Sequence, residues 1–339
     1  MFWWRIGNRS STFSPFSLTR MWKMSKWGAV FGFLATILIG THALADNTIR
    51  LQLSWFPSAE YGCFYQAIAD GIYNKKQIDL QILVGGPQID TRSLLLAGKV
   101  DVIIGSFSQD VFFFNDRDVP ILAIAAIFDR SPMAVISRKD STRTNSPAQL
   151  IDTPIYASRH SELALWPQLK TTFGWSDAQL RLYTGRLEPV LADEKAAVLG
   201  FISSEPWRFE KAGVAPKVFP LFDYGFDDYG YLLEVTSATL RDRRDVLAKF
   251  VAATVEGCRA YVGPGFERAH QLIMQGSPDT TPEELLFARS VLIENRVITG
   301  TGRMLEARWA AIAALAAKSG AFSSVTGYQN HLVFDLAAN

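Results

Sequence analysis

Residues 49–105, IRLQLSWFPSAEYGCFYQAIADGIYNKKQIDLQILVGGPQIDTRSLLLAGKVDVIIG, switch hydrophobic period four times. Ile49–Trp55 alternates apolar and polar residues and predicts a strand, whereas Tyr61–Ile72 repeats its apolar residues at helical spacing and runs out at Gly71. Ile78–Val84 predicts a second strand, stopped by Gly85-Gly86-Pro87. A short helix over Thr91–Ala97 then leads to the uniformly apolar strand Val100–Gly105. This is a βαβαβ run, and each of its strands delivers a loop at the carboxyl end, where open α/β sheets bind ligands.

The alternation continues downstream. Val119–Phe128 and Met133–Ser137 read as strands, and the polar stretch Arg138–Pro147 marks a boundary. Beyond it, TPIYA (153–157), a helix over Glu162–Phe173, a strand at Leu180–Tyr183, a helix at Pro189–Lys195 and a strand at Ala197–Ile202 repeat the pattern. Leu232–Val235 reads as a strand returning to the first unit, and four amphipathic helices follow from Arg243 onward. The layout is α/β, with two doubly wound lobes, a hinge and a cleft: lobe 1 over 46–137 and 234–339, lobe 2 over 138–233.

Residues 1–45 differ in kind. The apolar run WGAVFGFLATILIG (27–40) follows Lys23 and Lys26 and precedes Ala43-Leu44-Ala45, the order of a signal peptide cleaved after Ala45. Fourteen residues are short for a membrane span, which needs roughly twenty. Met21 or Met24 can serve as the start codon in place of Met1. The segment carries Arg5, Arg9, Arg20, Lys23 and Lys26 and no acid, so cleavage takes 34 basic and 33 acidic residues to 29 and 33, about −4. That balance argues against nucleic-acid binding, which requires a basic face. Cys63 and Cys258 form no CxxC pattern, so a zinc site is not indicated. They could pair in an oxidising compartment, but their apolar helical contexts favour two buried free thiols.

Three segments carry a family resemblance: LSWFPSAEYGCFYQA (53–67), GGPQIDTRSLLLAGKVDVIIGS (85–106) and ISSEPWRFEKAGVAPKVFPLFDYGFDDYGYLLEVTS (202–237). They resemble the solute-binding proteins that include thiamine-pyrimidine-precursor receptors and the fungal thiamine-pyrimidine synthases, with sulfonate receptors more distant. The resemblance implies a type II periplasmic-binding-protein fold, a small planar heterocycle in the cleft, and an ABC permease with its ATPase as partners. Riboflavin or an alkylsulfonate is the rival ligand. The synthases carry a histidine where this chain has Glu60-Tyr61-Gly62, and a cysteine-rich motif; neither is present here, which disfavours a pyrimidine-synthesis enzyme. No catalytic residue, metal site or cofactor is therefore called, and a periplasmic monomer is expected.

Trp55 ends the first strand, where a ring can stack on a heterocycle, and the resemblance places it at the ligand. Tyr61 and Phe64 lie one helical turn apart, so one of them is expected at the ligand, Tyr61 by preference, and the other in the core. Glu60 reads as an acid complementing a helix start. Ser106 and Phe107 end the third strand. Ser158 and His160 precede the Glu162 helix, whose free amides can receive an oxygen, although simple capping by Ser158 explains the pattern equally well. Glu205, after an apolar strand, fits an acceptor for ligand N–H groups, and Tyr224 a second aromatic face. His160 is no metal cluster, with His270 and His331 in the distant tail. GxSxG, P-loop, HExxH and GxGxxG motifs do not occur.

Overall fold

The computed structural model describes residues 47–139 and 145–337. The expected signal peptide, and the middle of the polar boundary stretch, lie outside the described residues. Among the described residues, ten strands form two five-stranded sheets. The first contains β1 (Thr48–Gln52), β2 (Asp79–Leu83), β3 (Val102–Gly105) and β4 (Ile121–Phe128). The second contains β5 (Met133–Arg138), β6 (Ile155–Ala157), β7 (Leu180–Leu182), β8 (Ala197–Phe201) and β9 (Pro216–Pro220). β10 (Gly230–Thr236) returns to the first. The orders are β2-β1-β3-β10-β4 and β7-β6-β8-β5-β9.

The two orders share one plan. β1 pairs in parallel with β2 and β3, and β6 with β7 and β8. Each sheet then admits, next to its last strand, one antiparallel strand that has just crossed from the other lobe: β10 between β3 and β4, β5 between β8 and β9. The first crossing therefore lies before Met133, not at residue 137: Met133 to Ser137 pair with Phe201 to Ala197 in the second sheet. Arg308, from the helix Glu306–Ser319, holds both crossings, donating to the Asp129 carbonyl on one and the Asp227 carbonyl (2.8 Å) on the other.

Three elements were illegible in the sequence: β9, the helix Gln109–Asp116 and the helix Glu205–Lys211. β9 begins and ends with proline, which sheets tolerate at an edge, and β9 is an edge strand. The helix Gln109–Asp116 is a two-turn element with three phenylalanines in a row, a run that shows neither strand nor helix period clearly. The long tail helix starts earlier than its periodicity suggested, spanning Ser237–Val262 with a break at Arg243. Among the described residues no helix is long and apolar enough to cross a membrane.

The expected free thiols are instead a disulfide, Cys63–Cys258. The reason is a close helix–helix approach. A side chain at Gly62 would overlap the Tyr261 ring, and one at Gly257 would overlap the Cys63 carbonyl at 2.4 Å. Glycine at both positions lets Gly62–Ala69 and Ser237–Val262 come together until the two sulfurs meet.

Candidate functional site

The carboxyl ends of β1, β3, β6 and β8 face a cleft of about 2110 Å³ between the two sheets. Trp55, Ser106 and Phe107 line it from the first lobe, and Ser158, His160 and Glu205 from the second. Six of the nine residues singled out in the sequence are thus brought together.

Trp55 is half-buried and stands edge-on to Phe56, centroids 5.7 Å apart. Its ring reaches across to Gly185 of the second lobe, where φ is +86° and an added Cβ would stand 2.8 Å from Trp55 Cζ2. Glycine is what allows this approach. Phe107 is buried and meets the His160 imidazole edge-on at 5.2 Å. Ser158 Oγ accepts the Ser161 N–H at 3.1 Å, so it caps its helix while lining the cleft.

His160 belongs to a charged cluster that spans the lobes. Its Nε2 lies 3.0 Å from Oδ2 of Asp110, a fully buried acid on the first lobe that also pairs with Arg92. Burial alone would raise the Asp110 pKa, but Arg92 and then His160 outweigh it and hold the carboxyl below its usual range. Nearby Glu234, on β10, is driven the other way, by burial first and then by the Asp110 charge. Gly105 leaves room for it, since any Cβ there would overlap the Glu234 carboxyl.

Glu205 opens the helix Glu205–Lys211 and is 7% exposed. Its carboxylate folds back onto its own lobe: Oε2 accepts the Phe201 N–H at 2.7 Å and Oε1 the Tyr183 hydroxyl at 3.2 Å. Arg208 Nη1 donates to that same hydroxyl at 2.9 Å and stands 4.0 Å from Glu205 Oε1. Burial raises the Glu205 pKa and Arg208 only partly offsets it.

Three expectations are corrected. Tyr61 and Phe64 do not line the cleft but are fully buried in the first lobe's core. Both turn toward the sheet and the tail helices rather than the opening, and Tyr61 stacks on Tyr231 at 5.0 Å and shares a hydrogen bond with Ser54. Tyr224 does not line the cleft but packs in the second lobe against Phe173 and Phe219. An aromatic that does line the cleft is Tyr231, at φ +45° and stacked at 4.2 Å on Phe128. The sequence reading missed it along with Glu60, Arg92 and Arg208, which also line the cleft. The one available signal for Tyr231 was its place at the start of the returning strand. Among the described residues no three His, Cys, Asp or Glu side chains converge as a metal site.

The family description "NMT1/THI5 like" matches residues 58–263, more than half of the chain. The chain belongs to the NMT1/THI5-like family. A formylaminopyrimidine-binding protein of Halalkalibacterium halodurans is 24% identical to it over 219 residues, covering 63% of this chain and 66% of that protein, just under two thirds of the relative's length. Among solved structures, the ligand-binding component of an ABC-type import system from Staphylococcus aureus, with zinc bound, superposes with a TM-score of 0.67 at 14% identity, covering 86% of this chain and 98% of that one. The alkanesulfonate-binding protein SsuA from Xanthomonas axonopodis pv. citri, bound to MOPS, gives 0.61 at 10% identity, covering 85% and 98%. At such identities the likeness is one of fold: two lobes, each a mixed five-stranded sheet, as in periplasmic binding proteins.

Proposed function

We propose that this family member is the exported solute-binding component of an ABC importer, taking up a small flat nitrogen heterocycle of the thiamine-pyrimidine-precursor class. The carrying observation is that Trp55 from one lobe and Glu205 from the other line the same interlobe cleft. A ring stacked on Trp55 would present its amino and ring N–H groups to acceptors on the facing lobe as the lobes close. Closure is then a shift toward the state with more ligand contacts. The kinship with a formylaminopyrimidine-binding protein supports the ligand class.

The Cys63–Cys258 bridge supports export, because structural disulfides persist in oxidising compartments. In this reading residues 1–45 are the signal peptide, the protein acts in the periplasm as a monomer, and a separate permease and ATPase supply transport. The protein performs no chemistry of its own. An alkylsulfonate fits the cleft less well, since Arg92 is already paired with Asp110 and Ser158 with the Ser161 N–H. Mass spectrometry of small molecules released on unfolding the purified protein tests the reading. An aminopyrimidine is the expected species, and a sulfonate would refute the ligand class.

A further inference from the structure

Two buried acids line the cleft, Glu60 and Glu205, and they are treated differently by the rest of the protein. Both oxygens of Glu205 accept hydrogen bonds, and Arg208 stands beside it. Glu60 has no such support. It sits in the 3-10 turn Ala59–Tyr61, directly after the Trp55 loop, and is 4% exposed. Its Oε1 accepts a short hydrogen bond from Ser203 Oγ, which reaches it from the second lobe at the end of β8. Its Oε2 accepts none from any described residue, and among the described residues no Lys, Arg or His forms an ion pair with it.

Charged groups of both signs act on this region, but its cations are engaged elsewhere: Arg208 donates to the Tyr183 hydroxyl and the Gly185 carbonyl, and Arg289 to the carbonyls of Tyr261, Val262 and Gly263. Glu284, from the helix Pro282–Glu294, also lines the cleft; its pKa is raised by burial and then by the Glu60 charge. The Tyr261 phenol is raised for the same two causes in the same order. A buried carboxylate with a single hydroxyl partner and no cation is a costly arrangement for a folded chain. The turn runs into the helix Gly62–Ala69, but no N–H of that helix donates to a Glu60 oxygen, so a capping hydrogen bond does not explain it. What the site lacks is a positive charge or an N–H-rich group, delivered through the cleft.

We propose that Glu60 is the residue by which the cleft selects a cationic ligand, one that offers an ammonium or amidinium N–H group to Oε2. Ser203 then completes the carboxylate from the opposite lobe, so that engagement of the charge and closure of the lobes occur together. The assignment rests on the pyrimidine reading for the shape of the ligand, and adds to it the sign of the ligand's charge.

Two measurements on the mature protein and its Glu60→Gln variant test it. The first is the melting temperature without ligand. Glutamine keeps an oxygen for Ser203 and removes the uncompensated charge, so the variant should melt about 2 °C or more higher; a lower melting temperature would mean that the carboxylate serves the fold, and would overturn the proposal. The second is calorimetric titration with an aminomethyl-substituted aminopyrimidine, cationic at neutral pH, and with its neutral N-formyl derivative. Wild type should bind the cation at least about tenfold more tightly, and Glu60→Gln should lose that preference. Preference of wild type for the neutral compound, or a preference that survives in the variant, would overturn the assignment while leaving the pyrimidine reading intact. If neither compound binds wild type, the pyrimidine reading fails instead, and the melting comparison alone decides whether Glu60 is held for a cation.

Discussion

His160 Nε2 on the second lobe lies 3.0 Å from Asp110 Oδ2 on the first, and Asp110 is fully buried whether or not a ligand is considered. The contact joins the two lobes across the cleft, so it favours the arrangement in which they are together. Removing the imidazole by His160→Ala leaves Arg92 to hold the Asp110 charge. The half-exposed position of the ring limits the loss to about 1 kcal/mol, roughly fivefold in ligand affinity. Titration and small-angle scattering check this: unchanged affinity with unchanged closure would remove His160 from that role.

Trp55→Ala should weaken ligand binding by about 1–3 kcal/mol while leaving the ligand-free melting temperature near that of wild type, because the ring is only half-buried, at the edge of the core. Gly185→Ala attacks the same contact from the other lobe. Its Cβ would crowd the indole at a backbone angle of φ +86° that side chains disfavour, so closure and affinity should both suffer.

Glu205→Gln has a more mixed outcome than its sequence position suggested. The amide must abandon either the Phe201 N–H or the Tyr183 hydroxyl, both of which donate to the carboxylate. A stability loss of about 1–3 kcal/mol is expected alongside weaker binding. Denaturant melts of the ligand-free variant read the first effect and calorimetry the second.

Disulfide chemistry gives a test of the core. Thiol titration of the unfolded, unreduced protein should find no free cysteine, and two after reduction. The bridge joins residues 195 positions apart, so replacing both by serine should cost about 2–5 kcal/mol. Two titratable thiols before reduction would contradict the pairing.

Stability should also fall with acid through His270. Burial first, and Arg289 next, depress its pKa from 6.5 to about 4. The unfolded chain therefore binds a proton below pH 6.5 that the folded chain refuses until about pH 4. Stability is full above pH 6.5 and falls by up to about 3 kcal/mol on the way to pH 4. His270→Asn should flatten that part of the pH profile of the melting temperature.

The strands that position the cleft were legible because each is a short apolar segment closed by a turn, and the residues at their carboxyl ends, Trp55, Ser106, Phe107 and Glu205, inherit their place from that rule. Residues on helices were harder. Periodicity says that Tyr61 and Phe64 share a side but not which way the helix rolls, and the close glycine contact with the tail helix turns both inward. That same contact, made across nearly two hundred residues, is why the cysteine pairing was hidden. Glu60 does stand at a helix start, as read; what the sequence hid is that it also faces the cleft, where Ser203 reaches it from the other lobe. Met133–Ser137 was assigned to the wrong lobe because nothing in an apolar strand states which sheet it joins.

The most direct test of the account is calorimetric titration of the mature wild-type protein and Trp55→Ala with an aminopyrimidine, an alkylsulfonate and riboflavin in parallel. Saturable one-to-one binding of the aminopyrimidine alone is expected, weakened in the variant by about tenfold or more. Binding of the alkylsulfonate in its place, or aminopyrimidine binding that is unaffected by loss of the indole, would contradict it.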